Sequence, residues 1–351
     1  VKALTSSLTL GKKLGNGHFG EVFEGEDPVH RKVAVKVLTR DDAARILEQP
    51  SVTDAEWAEF KGDFHSEARN LARARHRNVV QVHHILESDD GSAILFCMEL
   101  CPRGSLQSRF ESGPCDLREL RDIGVDVLLG LDVLHRREML HRDIKPANVL
   151  IGRDRRFKVG DFGLVTDRLI LGYGSQAGYS DHIAYEVWHG SGTSVRSDIW
   201  AFGMTLYRLL HGKQWYDQLP RPADLVEHGH FVDTLPWLPH VPKAWRRAIR
   251  KMMNDDPARR FASAAQAMDC LALLPVEPAW EATVSANQVL WTLNCGSRVR
   301  HVEWLIHSPR KHAWRAWSAP VASGRTMTLG GSDGVVSKRE AIRQLERYFG
   351  E

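Results

Sequence analysis

Side chains able to do chemistry are densest in Leu140-His141-Arg142-Asp143-Ile144-Lys145-Pro146-Ala147-Asn148-Val149-Leu150. An acid, a base and an amide (Asp143, Lys145 and Asn148) fall there within six residues. A short turn later comes Phe157-Lys158-Val159-Gly160-Asp161-Phe162-Gly163-Leu164. Far upstream, Gly15-Asn16-Gly17-His18-Phe19-Gly20 lies between two runs of alternating polarity, Leu8-Thr9-Leu10 and Glu21-Val22-Phe23-Glu24. That pattern predicts two strands joined by a turn whose glycines let backbone N–H groups approach a phosphate closely. The same glycine spacing opens dinucleotide-binding folds, but there a helix follows. Here Val22-Phe23-Glu24 continues as strand. Lys36, inside Val33-Ala34-Val35-Lys36-Val37, reads either as a strand-edge charge or as a ligand for an anion paired to a carboxylate. Glu67 can supply that carboxylate; it sits in a segment where Phe64, Ala68 and Leu71 fall on one helical face, and alone it reads as a solvated helix charge.

Taken in order, these stretches, a degenerate Ala184-Tyr185-Glu186, a helix aspartate (Asp198) and a late arginine (Arg260) resemble the eukaryotic-like Ser/Thr protein kinases. This group occurs in bacteria as well. The resemblance covers about residues 8–275 and implies an α+β, bilobal protein-kinase fold. A β-rich N-lobe would span about 8–98 and a helical C-lobe about 102–275. It also implies ATP and Mg2+ as cofactors and a protein hydroxyl as acceptor. A transferring phosphoryl group must be held in line and its charge neutralised, which is why charged and amide side chains recur at these positions. By resemblance Gly15, Asn16, Gly17 and Gly20 cover the phosphates, and Lys36, positioned by Glu67, holds them. Asp143 orients or deprotonates the attacking hydroxyl, Lys145 lies beside the γ-phosphate, and Asn148 and Asp161 ligate Mg2+. Val22 and Ala34 would cover the adenine from above and Leu150 from below. Met98 would be the gatekeeper, with Glu99 and Cys101 offering hinge backbone groups. Leu71, His141 and Phe162 would join a hydrophobic column. Asp198 would brace the His141-Arg142 turn, and Arg260 would pair with Glu186.

Two departures stand out. Lys36 and Glu67 are 31 residues apart, against about twenty more often in the family, which implies an inserted loop around Gln49-Pro50-Ser51-Val52-Thr53. Tyr179 replaces the family's usual threonine and Tyr185 its proline, so substrate recognition is expected to be unusual. Lys145 favours Ser/Thr over Tyr as acceptor, and Leu164 leans toward serine. Arg142 beside Asp143 implies phosphorylation of the activation loop, with Thr166, Tyr173, Ser175, Tyr179 and Ser180 as candidates. The rival readings are a pseudokinase scaffold that binds nucleotide, and an RNA- or small-molecule-directed phosphotransferase on the same core.

Composition sets the wider frame. The 351 residues carry 47 Lys+Arg against 44 Asp+Glu, too balanced for a polycationic or acidic scaffold. The longest apolar run, Ala93 to Met98, is far short of the roughly 20 residues of a membrane span. Five scattered cysteines, without a matching pair at zinc spacing, read as reduced thiols. Neither a signal-peptide core nor a lipidation motif is seen, so the expected location is the cytoplasm. Leu274-Pro275-Val276-Glu277-Pro278 reads as a linker to a second module, residues 276–351, that holds five of the eleven tryptophans. Four short strands, around Val289–Leu293, Val299–Ile306, Ala313–Trp317 and Thr326–Leu329, are expected there. A helix capped by Ser337 should follow, with Ala341, Ile342, Leu345, Tyr348 and Phe349 on its apolar face. A core this small should dock on the helical lobe and serve a docking or regulatory partner. The interleaved basic and aromatic residues from Arg310 to Trp317 leave nucleic acid as a lesser reading.

Overall fold

A computed structural model describes residues 2–5, 8–17, 20–47, 49–160, 180–220, 225–226 and 228–350. By Cα proximity the chain forms two compact units, residues 1–105 with 129–178, and residues 106–128 with 179–351.

The first unit is organised around a six-stranded antiparallel sheet in the order β1-β2-β3-β4-β6-β5. Its strands are β1 (Lys2–Thr5), β2 (Leu8–Gly17), β3 (Gly20–Asp27), β4 (Arg31–Thr39), β5 (Val82–Glu87) and β6 (Ala93–Glu99). Alternation puts Leu8, Leu10, Val33, Val35, Val37, Leu95 and Cys97 into one buried cluster. The other cluster, Leu38, Ile94 and Phe96, packs against helices α1 (Arg40–Ile46) and α2 (Asp54–Arg73).

Residues 49–53 are loop, as expected, but helices flank them on both sides. Most of the chain between Lys36 and Glu67 is helix, and Ala43, Ile46, Trp57 and Phe60 are buried in the core. The Trp57 indole N–H donates to the Gly91 carbonyl at 3.0 Å, tying α2 to the β5–β6 turn. Both helices start on the same device. Thr39 Oγ1 accepts from Asp42 N while Asp42 Oδ2 accepts from Thr39 N at 2.9 Å, and Thr53 and Glu56 repeat the exchange. Thr39→Ala is expected to cost about 1 kcal/mol, read as a lowered urea midpoint.

In the second unit α3 (Leu106–Ser112), the first half of α4 (Leu117–His135) and the long helix α6 (Val195–Tyr216) carry the core. A four-residue helix, α5 (Tyr185–Trp188), precedes α6, and α7 (Phe231–Thr234), α8 (Lys243–Met252) and α9 (Ala264–Ala272) follow. Gly212 breaks α6 at φ +71°, and a Cβ there would lie 2.6–2.8 Å from the backbone of Gly113 and Pro114. Only glycine fits that approach.

The C-terminal residues of this unit form a five-stranded antiparallel meander, order β13-β12-β11-β10-β9, one strand more than expected. The strands are β9 (Glu281–Val284), β10 (Gln288–Asn294), β11 (Arg298–Ser308), β12 (Lys311–Pro320) and β13 (Met327–Gly331), with helix α10 (Lys338–Gly350) after them. Ser337 Oγ accepts from Glu340 N at 3.2 Å, while the Glu340 carboxylate is taken by Arg343 and Gln344. Trp314 is buried, with its indole N–H on Gln344 Oε1 at 2.7 Å and its ring against Tyr348. Trp317, three residues on, faces the other side of the sheet and stacks on His301. The basic-aromatic stretch is thus split between two faces, and Trp314 offers no surface for a base.

Trp291 joins this meander to the helices: its N–H donates to His240 Nδ1 at 2.9 Å, and the Trp304 and Trp215 rings meet nearby. Burial pushes the His240 pKa down to about 3, and that of His211 likewise to about 3. Both recover a value near 6.5 on unfolding, so the unfolded chain binds two more protons in this interval. The stability they contribute is whole above pH 6.5 and is lost as pH falls toward 3, at about 1.4 kcal/mol per pH unit for each histidine. Unfolding free energy measured between pH 6.5 and 5 should show this slope, and His240→Gln should remove about half of it.

Candidate active site

The segment from His141 to Gly160 is held by backbone and imidazole contacts that leave its polar side chains converging. Arg142 adopts φ +66°, a left-handed conformation that costs an arginine about 1–2 kcal/mol. His141 is fully buried; its Nδ1 accepts from Asp143 N at 3.3 Å, so its Nε2 donates to the Gly160 carbonyl at 3.0 Å. Gly160 N in turn donates to Asn148 O at 2.9 Å. A 3-10 turn, Pro146–Asn148, then leads into the hairpin β7 (Val149–Ile151) and β8 (Phe157–Val159).

This scaffold brings three expected residues together. Lys145 Nζ and Asn148 Nδ2 both donate to Asp143 Oδ2 at 2.8 Å, and Asn148 Nδ2 also reaches the Asp143 carbonyl at 2.8 Å. Lys145 is 6% exposed, so its charge rests on that carboxylate rather than on water. Because the Asn148 amide nitrogen is committed to Asp143, its carbonyl oxygen is the atom that remains to ligate a hard cation. The chain enters Asp161 directly from the anchored Gly160; Asp161, Phe162, Leu164, Thr166, Tyr173, Ser175 and Tyr179 lie outside the described residues.

The sheet positions the second group. The β3–β4–β6 ladder sets Val22 opposite Lys36, Lys36 opposite Phe96, and Ala34 opposite Met98. Lys36 is 3% exposed. Gly20 opens β3 at φ +133°, and a Cβ there would lie 2.2 Å from the Val37 carbonyl, so this glycine is fixed by the close approach of two strands. Gly15, opposite Val22, has open space around it, Asn16 pairs Glu21 and Gly17 pairs Gly20. Glu67 lies on α2; its side chain is outside the described residues.

At the end of β6 the Glu99 carboxylate grips Lys158 Nζ with both oxygens, at 2.9 and 3.0 Å. Lys158 is on β8, opposite Leu150, so this pair locks the end of β6 to the hairpin that carries Leu150. The sequence held a signal for it: a lysine between Phe157 and Val159 in a short buried strand needs a carboxylate. Asn78 was missed as well. Its backbone carbonyl accepts from Val159 N at 2.9 Å and its Nδ2 donates to the Phe157 carbonyl at 2.9 Å. Cys101 follows β6 by two residues; burial, then the neighbouring Glu99 charge, pushes its thiol up to about 12, which makes it an inert neutral group at physiological pH.

In the second unit Arg260 meets Glu186 in a two-pronged ion pair, Nη1 to Oε1 at 2.7 Å and Nη2 to Oε2 at 2.6 Å. Asp198, on α6, is buried.

A six-stranded sheet with a buried strand lysine, followed by an Asp-Lys-Asn cluster in a histidine-anchored loop and by a mainly helical unit, defines a class of phosphotransferase. The family model of the protein kinase domain matches residues 8–271, and the chain belongs to the protein kinase family. Its α+β protein-kinase fold carries, in addition, the C-terminal sheet and helix. Among curated relatives, hormonally up-regulated neu tumor-associated kinase homolog A of Xenopus laevis is 29% identical over 72% of this chain and 36% of its own length. Serine/threonine-protein kinase PrkC of Bacillus subtilis is 27% identical over 75% of this chain and 40% of its own. Human protein-tyrosine kinase 6 is 30% identical over 64% of this chain and 46% of its own. The chain therefore spans less than half the length of these relatives. Among the described residues no helix is long and apolar enough to cross a membrane.

Proposed function

We propose that this protein kinase transfers the γ-phosphoryl group of ATP to serine or threonine hydroxyls of protein substrates, with Mg2+, and phosphorylates its own activation loop. The observation that carries the proposal is the shared Asp143 Oδ2, where Lys145 and Asn148 meet at 2.8 Å. Asp143 accepts the proton of the attacking hydroxyl or orients it. Lys145, anchored on the same carboxylate, supplies the cation that the γ-phosphate needs. Lys36 binds the α- and β-phosphates, and Gly15, Asn16, Gly17 and Gly20 bring backbone over them. Val22, Ala34, Met98, Glu99, Cys101 and Leu150 form the adenine pocket. The donor set fits Mg2+: Asn148 Oδ1 and Asp161 would hold it, and it would neutralise phosphate charge. Lys145 and the likeness to kinases named as serine/threonine-protein kinases support those acceptors over tyrosine, against two relatives, human and mouse, that are named as protein-tyrosine kinases.

The test is the destination of label. Incubated with γ-labelled ATP and mixtures of protein, tRNA or metabolites, the chain should label protein alone, with acid hydrolysis yielding phosphoserine or phosphothreonine. Label in phosphotyrosine, RNA or a metabolite instead would overturn the proposal.

A further inference from the structure

Away from the nucleotide-binding residues, the end of β3, the turn into β4 and the edge strand β5 converge on one carboxylate. Asp27 is 7% exposed. Its Oδ1 accepts from Val29 N at 2.9 Å and His30 N at 2.7 Å, which fixes the carboxylate plane. His30 Nδ1 lies 3.1 Å from that same oxygen, and His84 Nε2, arriving from β5, lies 3.1 Å from Oδ2. One ligand atom from each of the three residues falls within 4.8 Å of the other two. The His83 ring stacks on His30 at 4.0 Å and 12°, holding that imidazole in plane.

We infer that Asp27, His30 and His84 form a binding site for a transition-metal dication of the zinc type. Two imidazoles and a carboxylate are the ligand set of three-residue zinc centres that keep a fourth position for water. Bonds of about 2.0–2.1 Å in a tetrahedron place neighbouring ligand atoms about 3.3 Å apart. Each imidazole nitrogen here already lies 3.1 Å from a carboxylate oxygen, and drawing the three ligand atoms in from within 4.8 Å of one another asks only for small side-chain rotations. Nitrogen donors select Zn2+, Ni2+ or Cu2+ over Mg2+ and Ca2+, which prefer oxygen. An Asp-centred turn alone accounts for Oδ1 and its two backbone donors. It does not account for a second imidazole delivered to Oδ2 from residue 84. His30 and His84 remain about one-third exposed, at 36% and 31%, which leaves an entry path. In the sheet order β4 and β6 lie between β3 and β5, so a bound ion clips the β3–β4 turn to the sheet edge across both. The inference is independent of the proposed acceptor and of catalysis.

The full chain, stripped with chelator and returned to buffer containing millimolar Mg2+, is titrated with Zn2+ against a fluorescent chelator while Tm is followed. One equivalent should bind and raise Tm. His30→Gln and His84→Gln should each weaken binding roughly tenfold or more, with the metal-free Tm nearly unchanged, whereas His307→Gln should leave binding intact. On the wild-type chain alone, zinc-edge X-ray absorption should show two imidazole nitrogens with oxygen in the remaining positions. Absence of saturable binding, binding indifferent to both substitutions, or a shell without two imidazoles would overturn the site and leave only a hydrogen-bonded turn.

Discussion

Asp143→Asn is expected to lower kcat by about 10²–10⁴-fold, the range lost when a positioned general base is removed. Asparagine matches aspartate in shape, and its carbonyl oxygen can still accept from Lys145 Nζ and Asn148 Nδ2, which now share Asp143 Oδ2 at 2.8 Å. What disappears is the negative charge that, in the proposed role, would draw a proton from the attacking hydroxyl. The loss should therefore appear in kcat and in kcat/KM equally, with the KM for ATP little changed. Lys145, nearly buried, loses its counter-charge as well, so a modest fall in Tm should accompany the change. Initial rates at varied ATP, together with a thermal melt, separate the two effects. An unchanged rate in a folded variant would remove Asp143 from the chemistry and favour a scaffold that acts by contact.

The parts of this site that were legible in the sequence are the local ones. Asp143, Lys145 and Asn148 lie within six residues, so a single loop with one 3-10 turn is enough to bring them together. Their spacing carries most of their geometry. The strand after the glycines was readable for the same reason, because period-two alternation is a local signal. Lys36 stayed open as a strand-edge charge until the sheet order put β4 between β3 and β6 and buried it. Contacts that depend on long-range packing were not. The insertion reads as a loop because Gln49-Pro50-Ser51 breaks every pattern, yet only about seven residues separate α1 from α2. Trp57 and Phe60, three apart, were the overlooked sign of a helix that starts ten residues before Phe64. Strand β9 escaped because just one of its four residues, Val284, is buried. The pairing of Glu99 with Lys158 spans 59 residues, and His84 reaches Asp27 across two intervening strands of the sheet. Neither follows from spacing, because the twist and coil of the sheet decide which side chains meet.

Arg260→Ala should produce the largest loss of stability, about 3–5 kcal/mol. The Arg260 side chain is fully buried, and each of its nitrogens has work in the fold. Nε donates to the Asn254 carbonyl at 2.6 Å, Nη1 to Glu186 Oε1 and to the Arg196 carbonyl at 3.0 Å, and Nη2 to Glu186 Oε2. Truncation strands the Glu186 carboxylate, itself only 12% exposed, without its cation and leaves three backbone carbonyls, those of Asn254, Arg196 and Asp255, short of a donor. Because Glu186 belongs to α5, the stretch from Ala184 to Trp188 should loosen first, and hydrogen exchange there should rise before global unfolding. Lysine offers a point charge in place of a planar fork, so Arg260→Lys should recover only part of the loss. Removing both charges tests the cause. If the cost is mainly a stranded buried anion, Glu186→Gln combined with Arg260→Met should be less destabilising than Arg260→Ala alone, since double removal relieves the uncompensated charge. Urea midpoints for the four proteins decide it. A loss below about 1 kcal/mol for Arg260→Ala would mean that solvent reaches the pair and screens it as at a surface.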